Sequence, residues 1–282
     1  MKTLTLLILL GTTCATAQDS LRTIEGFSSG GESTFRRTVA TGTIAGTLCL
    51  SLIWSFDEWW KGEAQPFHFF SEGWFNDYSL GIDKVGHAFT SYFYFHTYRN
   101  IMLWGGYDES TALWLGAGAA AFFALCVEIG DGFSPFGFSH EDFLSNLAGL
   151  GFGILQTQVP FMRNFNLKWS YIPESGDAHA QHFTRFYDAH TYWLTANMHE
   201  LLPTSWNKYW PEFLQLAVGY SVSDHQTKRE GVIGFDFNLE VFPAPNDDVL
   251  LLQKTVNMIH IPAPAVKFTE GRQPRYYLFH TN

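Results

Sequence analysis

The chain has 282 residues and a formal net charge of −10. That is long enough for one large or two modest domains, and its charge has the wrong sign for a nucleic-acid partner. Charged residues make up only 16% and aromatics 17%, with 27 phenylalanines; since an ordinary soluble domain carries about 25% charged residues, this balance points to extensive burial or to contact with lipid.

The N-terminus reads as a secretory signal peptide over residues 1–17. Lys2 is followed by the apolar run Leu4 to Leu10 and by Ala15-Thr16-Ala17, the order of a positive start, an apolar stretch and an A-x-A cleavage site. Cleavage after Ala17 leaves a mature chain beginning at Gln18. The apolar run is too short to span a bilayer, which takes about 20 residues. Cys14 lies in the leader, but Thr12-Thr13 before it match a lipidation site poorly. Cys49 and Cys126 sit in apolar runs; export permits a disulfide, although packing as small apolar side chains is the simpler expectation.

Residues 18–162 form the apolar half. Four segments stand out: Val39 to Phe56, Asp83 to Trp104, Thr111 to Glu128 and Phe143 to Val159. Each is near the length that crosses a hydrocarbon core. Small residues in the third and fourth permit close helix packing. Gly105-Gly106-Tyr107-Asp108 reads as a turn and Gly130 to Gly137 as a loop. Ser139 reads as the N-cap of the fourth segment, with Asp142 three residues on.

An up-down order of four crossings brings the unusual polar residues to one side. Asp83, Lys84 and His87 begin the second segment, Glu128 and Asp131 end the third, and Asp142 and Asn146 begin the fourth. Asp83 and His87 are four apart and share a helix face, as do Asp142 and Asn146. Ionisable groups at the edge of an apolar bundle are costly unless paired or functional. Individually each has a structural reading: Ser139 as a cap, Lys84 snorkelling to the interface, Asp131 in a turn, and Asn146 as an amide tie.

Asp83-Lys84-Val85-Gly86-His87, Glu128 to Gly132, Gly137 to Asp142 and Asn146-Leu147-Ala148-Gly149 together resemble the YfiM-like family of predicted envelope proteins. More distantly they are similar to the VanZ-like membrane proteins, with a D-K-x-x-H, E, D, N-x-x-G order. The likeness covers about Phe67 to Gly153. Gly130-Asp131-Gly132 stands where the VanZ-like pattern has E-x-x-Q. The resemblance implies a site at these residues without naming a substrate.

Residues 163–282 read as a smaller α+β region. Asn164 to Gln181 looks like a loop and Asp188 to Leu202 like a helix. Leu214 to Val222 and Ile233 to Val241 alternate with a period of two, which predicts a β-hairpin over about 213–241. Such strands also occur in outer-membrane barrels, which need about eight. Asp247 to Ile259 reads as a short helix and Tyr276 to His280 as extended. His179, His182, His190 and His199 form no metal-ligand pattern and read as surface or packing residues.

The fold expected is therefore mainly α: a membrane-associated bundle of about four apolar helices with a smaller C-terminal α+β part. The positive-inside rule opposes the crossing order, because Arg36, Arg37, Arg99, Arg163 and Lys168 fall on the side predicted to be outside. That leaves inner and outer membrane both open. The partners expected are membrane lipid and an envelope protein. Two functions compete. One is a structural or binding component of the envelope, the polar cluster pinning helix ends. The other is a metal-dependent or acid-base hydrolase or transferase acting on a lipid or envelope precursor. In the second, His87 is base or ligand, Asp83, Glu128 and Asp142 are its partners, and Lys84 contacts an anionic head group. His87, Glu128, Asp131 and Asp142 are the candidate ligands of a divalent metal.

Overall fold

The computed structural model describes residues 27, 34–71, 73–172, 184 and 186–280. The leader over 1–17, with Cys14, lies outside the described residues, as do His179 and His182.

Four long helices occupy the N-terminal half. α1 (Thr34–Ser55) runs on into a single π-helical turn, Phe56–Trp60. α2 (Ile82–Trp104) starts after Gly81, whose φ of 83° is a left-handed conformation that glycine adopts without strain. α3 (Glu109–Gly132) is capped by Asp108, which accepts from the Thr111 amide at 2.9 Å. α4 (His140–Gln158) is capped by Ser139, whose Oγ accepts from the Asp142 amide at 3.2 Å. Both caps satisfy N–H groups that a helix start otherwise leaves open. β1 (Phe69–Phe70) and β2 (Phe138–Ser139) form a short parallel pair ahead of α4.

α2 is the centre of the molecule. Phe89, Tyr92, Phe95, Tyr98 and Met102 are all buried along it. α1, α3 and α4 pack against it, and the C-terminal sheet covers what they leave. The crossing with α4 is close: a Cβ at Gly149 would collide with the Ala88 backbone carbonyl. Only glycine lets the two backbones meet there.

The C-terminal half is a six-stranded antiparallel meander in chain order. Its strands are β3 (Phe165–Tyr171), β4 (His190–Ala196), β5 (Leu214–Ser223), β6 (Lys228–Phe237), β7 (Ala265–Thr269) and β8 (Arg275–Tyr277). Between β4 and β5 lie two single-turn helices, α5 (Met198–Leu201) and α6 (Thr204–Asn207), and between β6 and β7 lies α7 (Asp247–Val256).

This corrects the expected bundle of four apolar helices. The described residues hold seven α-helices and the six-stranded sheet. Two helices are long and apolar enough to cross a membrane by length and composition, Thr34–Trp60 and Glu109–Gly132. The second and fourth apolar segments are not of that kind. α2 is aromatic because it faces protein: Phe89 packs on Trp169 and Tyr192 of the sheet and Tyr92 on Phe152 of α4. Two local expectations also change. The loop expected from Asn164 contains β3, and the helix expected over Asp188 to Leu202 is mostly β4, whose Thr191, Tyr192, Trp193 and Thr195 are residues that suit a pleated surface. Cys49 is exposed on α1 and Cys126 half-buried, and neither is in a disulfide.

The sheet has an unusual polarity. Its fully enclosed face carries Thr191, Trp193, Thr195, Gln215, Ser221, Glu230, Val232 and Asp236. Lys168 and Asp236 are paired there at 3.1 Å with both side chains 0% exposed. Glu230 and Lys267 pair at 2.9 Å, and His260 stacks 3.8 Å from the Trp193 ring. The chain after α7 lies alongside β3, with the Trp169 amide donating to the Met258 carbonyl and the His260 amide to the Trp169 carbonyl. The opposite face is apolar. Part of it is covered by α2 and the chain before it, where the Tyr220 hydroxyl donates to the Leu80 carbonyl at 2.6 Å. The rest is open: Leu194, Val218 and Ile233 stand in cross-strand register and are 46, 51 and 50% exposed. A sheet folded for water hides its apolar face; apolar-out and polar-in is the arrangement of strands that meet lipid.

Candidate functional site

The polar residues at the start of α2, the end of α3 and the start of α4 come together as the antiparallel helix order requires. Lys84 is the hub. Its side chain is 3% exposed, and its Nζ lies 2.8 Å from Asp142 Oδ1, 3.3 Å from Asp83 Oδ2 and 3.4 Å from Asp77 Oδ2. Lys84 therefore does not snorkel to an interface; it is enclosed by three carboxylates.

His87, one turn along α2, forms the second layer. Its Nε2 is 3.8 Å from Asp83 Oδ1 and its Nδ1 is 3.5 Å from Glu128 Oε1. The Asn146 amide bridges the two, with Nδ2 at 3.2 Å from His87 Nδ1 and donating to Glu128 Oε1 at 3.0 Å. Asn146 Oδ1 in turn accepts from the Ser91 hydroxyl at 2.8 Å. Asp131 lies farther along α3, fixed by the Trp60 indole N–H at 2.7 Å. Ser139 is the cap of α4 and contributes no group to the centre.

The electrostatics follow from burial and from an excess of carboxylates over cations. Burial alone would lower the pKa of His87, but Asp83, Asp142, Glu128 and Asp131 outweigh it and hold it at about 9. Burial pushes Glu128 up to about 8, against the attraction of His87 and helped by Asp142, Asp131 and Asp83. Burial likewise raises Asp131 to about 6, opposed by its Trp60 hydrogen bond. At neutral pH the His87 imidazolium thus faces a largely protonated Glu128.

Asp83, His87 and Asp142 each offer a ligand atom within 4.8 Å of the other two. Of the four expected ligands, His87 and Asp142 fall in this group together with Asp83, while Glu128 stands behind His87 and Asp131 is tied to Trp60. Oxygen and imidazole donors in this mix suit a divalent first-row ion. Glu128 and Asn146 face Nδ1, so Nε2 is the nitrogen that could serve as a ligand, a cation taking the place of its proton.

The trio opens into a cavity of about 420 Å³. Asp83, His87, Asp131, Asp142 and Asn146 line one part; Phe89, Phe93, Phe123, Trp169 and Tyr192 line the rest. Tyr187 closes the polar part, its hydroxyl donating to Asp83 Oδ1 at 2.8 Å.

Several participants escaped the sequence reading. Asp77, whose side chain is 1% exposed beside Lys84, sits in a loop with no periodicity to mark it. Ser91 was hidden in an aromatic run, although it lies two turns from Lys84 on the same helix. Trp60, Tyr187 and Tyr192 come from distant parts of the chain, and no local pattern signals them.

With this geometry in view, residues 71–158 match the model of the family described as "Predicted periplasmic lipoprotein (DUF2279)". The match spans Asp77 to Asn146 and thus the whole helix-borne cluster. It makes the chain an exported protein of the cell envelope. The match does not extend to the YfiM-like or VanZ-like resemblance. No curated protein and no solved structure matches the chain.

Proposed function

We propose that the protein binds the polar head of an envelope amphiphile through a divalent cation held by Asp83, His87 and Asp142. The observation that carries this reading is the convergence of three ligand atoms within 4.8 Å at the polar part of an otherwise aromatic cavity of about 420 Å³. A cation there bridges protein carboxylates to an anionic head group, and the aromatic walls accept the apolar part. His87 Nε2 and the two carboxylates hold the ion, and Glu128 and Asn146 orient the imidazole. The exposed apolar faces of α1, α3 and the sheet rest on membrane lipid, which supplies the amphiphile.

A second reading is purely structural: the cluster pins the helix ends. The enclosure of Lys84 among Asp77, Asp83 and Asp142 favours it. The two readings separate in one experiment. Metal content is measured on the detergent-purified chain and on Asp83→Asn and His87→Ala. One divalent ion per chain, lost in both variants while helicity persists, supports the binding site. A metal-free parent whose variants unfold early supports the pin and overturns the binding site.

A further inference from the structure

A second cavity, of about 260 Å³, lies between α2, α4 and the end of the sheet where β3 and β5 begin and β4 and β6 finish. It shares no lining residue with the first cavity. Its cationic side chains each have a partner within the protein, although the buried Nε of Arg99 keeps no hydrogen-bond partner among the described residues. Arg99 pairs with Glu109, Lys254 pairs with Glu240 at 2.9 Å, and Arg163 donates to the carbonyls of Gln156 and Thr157 at 3.0 Å each. Glu212 faces His199 at 3.8 Å.

Most of the other polar lining is carboxamide. Gln215 is 0% exposed, yet neither its Oε1 nor its Nε2 has a hydrogen-bond partner among the described residues. The buried Oδ1 of Asn197 has none there either. Asn197 directly follows β4 and Gln215 is the second residue of β5, each one step beyond the Ala196–Leu216 pair that ends the ladder, and both line the cavity. Asn166 and Asn238 line the same cavity. A buried amide left unpaired is unfavourable, and neighbouring positions on this face are as apolar as Ala217 and Val232. One wholly unsatisfied amide and an unsatisfied amide oxygen, both lining one cavity, therefore call for a ligand that donates and accepts at closely spaced atoms.

We infer that this cavity binds a neutral saccharide unit. The Gln215 carboxamide offers a donor and an acceptor side by side, the complement of a vicinal pair of hydroxyls, and Asn197 Oδ1 adds an acceptor. A charged ligand would meet charges that are already paired, and an apolar one would leave Gln215 and Asn197 unsatisfied. Tyr92 and Met258 supply the apolar contact for a ring face. The inference is independent of the metal reading, because the residues differ.

The test is isothermal titration of the detergent-purified full chain with glucose, galactose and N-acetylglucosamine in turn, with glycine as a zwitterionic control. Saturable binding of one of the sugars, weakened at least tenfold in both Gln215→Leu and Asn197→Ala, is expected. Gln215→Leu should keep the parent's helicity and thermal midpoint, since an apolar side chain of similar shape removes the unpaired amide. Asn197, being half-buried, gives the same readout should the Gln215 variant fold poorly. No saturable binding of any of the three sugars overturns the proposal and leaves an internal cavity for water. Binding of glycine as tight as that of the sugar, or sugar binding untouched by both variants, overturns it as well.

Discussion

The ammonium of Lys84 and the carboxylate of Asp142 meet at 2.8 Å with side chains 3% and 8% exposed, tying the first turn of α2 to the first turn of α4. Neither charge has much water to fall back on. Removing the cation leaves Asp77, Asp83 and Asp142 facing one another, and breaking a buried pair from one side costs about 3–5 kcal/mol. Lys84→Met is therefore expected to lose roughly that much in a urea titration. Lys84→Met combined with Asp142→Asn should lose less than the sum of the single variants, because the second change removes the charge the first one stranded. Additive losses would mean that the two residues act separately.

The cluster also sets a pH dependence. His87 is held at about 9 against an ordinary 6.5, and Glu128 at about 8 against 4.5. Both bind a proton more tightly folded than unfolded, so the unfolded chain carries fewer protons and stability falls with rising pH. The His87 contribution is complete below its unfolded value and disappears as pH rises through about 9. That of Glu128 disappears between 4.5 and about 8. On the acid side, burial lowers His96 and His280 to about 4; their stabilisation is lost as pH falls from 6.5 through that value. The thermal midpoint should thus decline steadily from pH 6.5 to 9, and less steeply in Glu128→Gln. A flat profile over that window would show that His87 and Glu128 titrate normally.

How far this was legible in the sequence depends on what each residue answers to. Asp83 and His87, or Asp142 and Asn146, are four apart on helices, so local periodicity put them on one face. Antiparallel order then brought the faces together. Asp77 and Tyr187 reach the same place through loops, and no period encodes that. The aromatic run of α2 has the length of a membrane span, but it is less apolar than α1 and α3 and its rings face Trp169, Tyr192 and Phe152; an aromatic run does not say whether its neighbour is lipid or protein. Alternation is what marks a strand in the sequence. β5 and β6 alternate cleanly, whereas β3 escaped because Lys168 and Ser170, the residues it buries, look like loop residues. A polar enclosed face defeats a rule that looks for buried apolar ones.

The crossing of α2 and α4 gives a sharper packing test. At Gly149 a Cβ would run into the Ala88 carbonyl, which is backbone and cannot swing aside. Gly149→Ala should force the helices apart and cost about 1–3 kcal/mol, the usual range for overpacking, and Gly149→Val more. Gly151, two residues on, meets nothing within 4 Å. Gly151→Ala should instead be neutral or slightly stabilising, since alanine is the better helix former by about 1 kcal/mol. Denaturation midpoints for the pair measure the difference directly, and equal losses at both sites would contradict the crossing.

The inverted sheet allows the two kinds of apolar surface to be told apart. Leu194, Val218 and Ile233 lie on the open face of the strands, while Leu50, Ile53 and Trp114 are the most exposed large apolar side chains on the inner parts of α1 and α3, at 67, 65 and 65%. Each trio can be changed to serine with little effect on folding in detergent, about 0.5 kcal/mol per exposed site. Flotation with neutral phosphatidylcholine vesicles then reads lipid contact without a charge effect. If both faces rest on lipid, each serine trio should reduce the bound fraction, and the two together should abolish it. A loss confined to the helical trio would place the sheet in water. The row Leu194–Val218–Ile233 would then need another apolar cover, because an exposed aliphatic stripe over a polar, ion-paired interior is the reverse of what water selects.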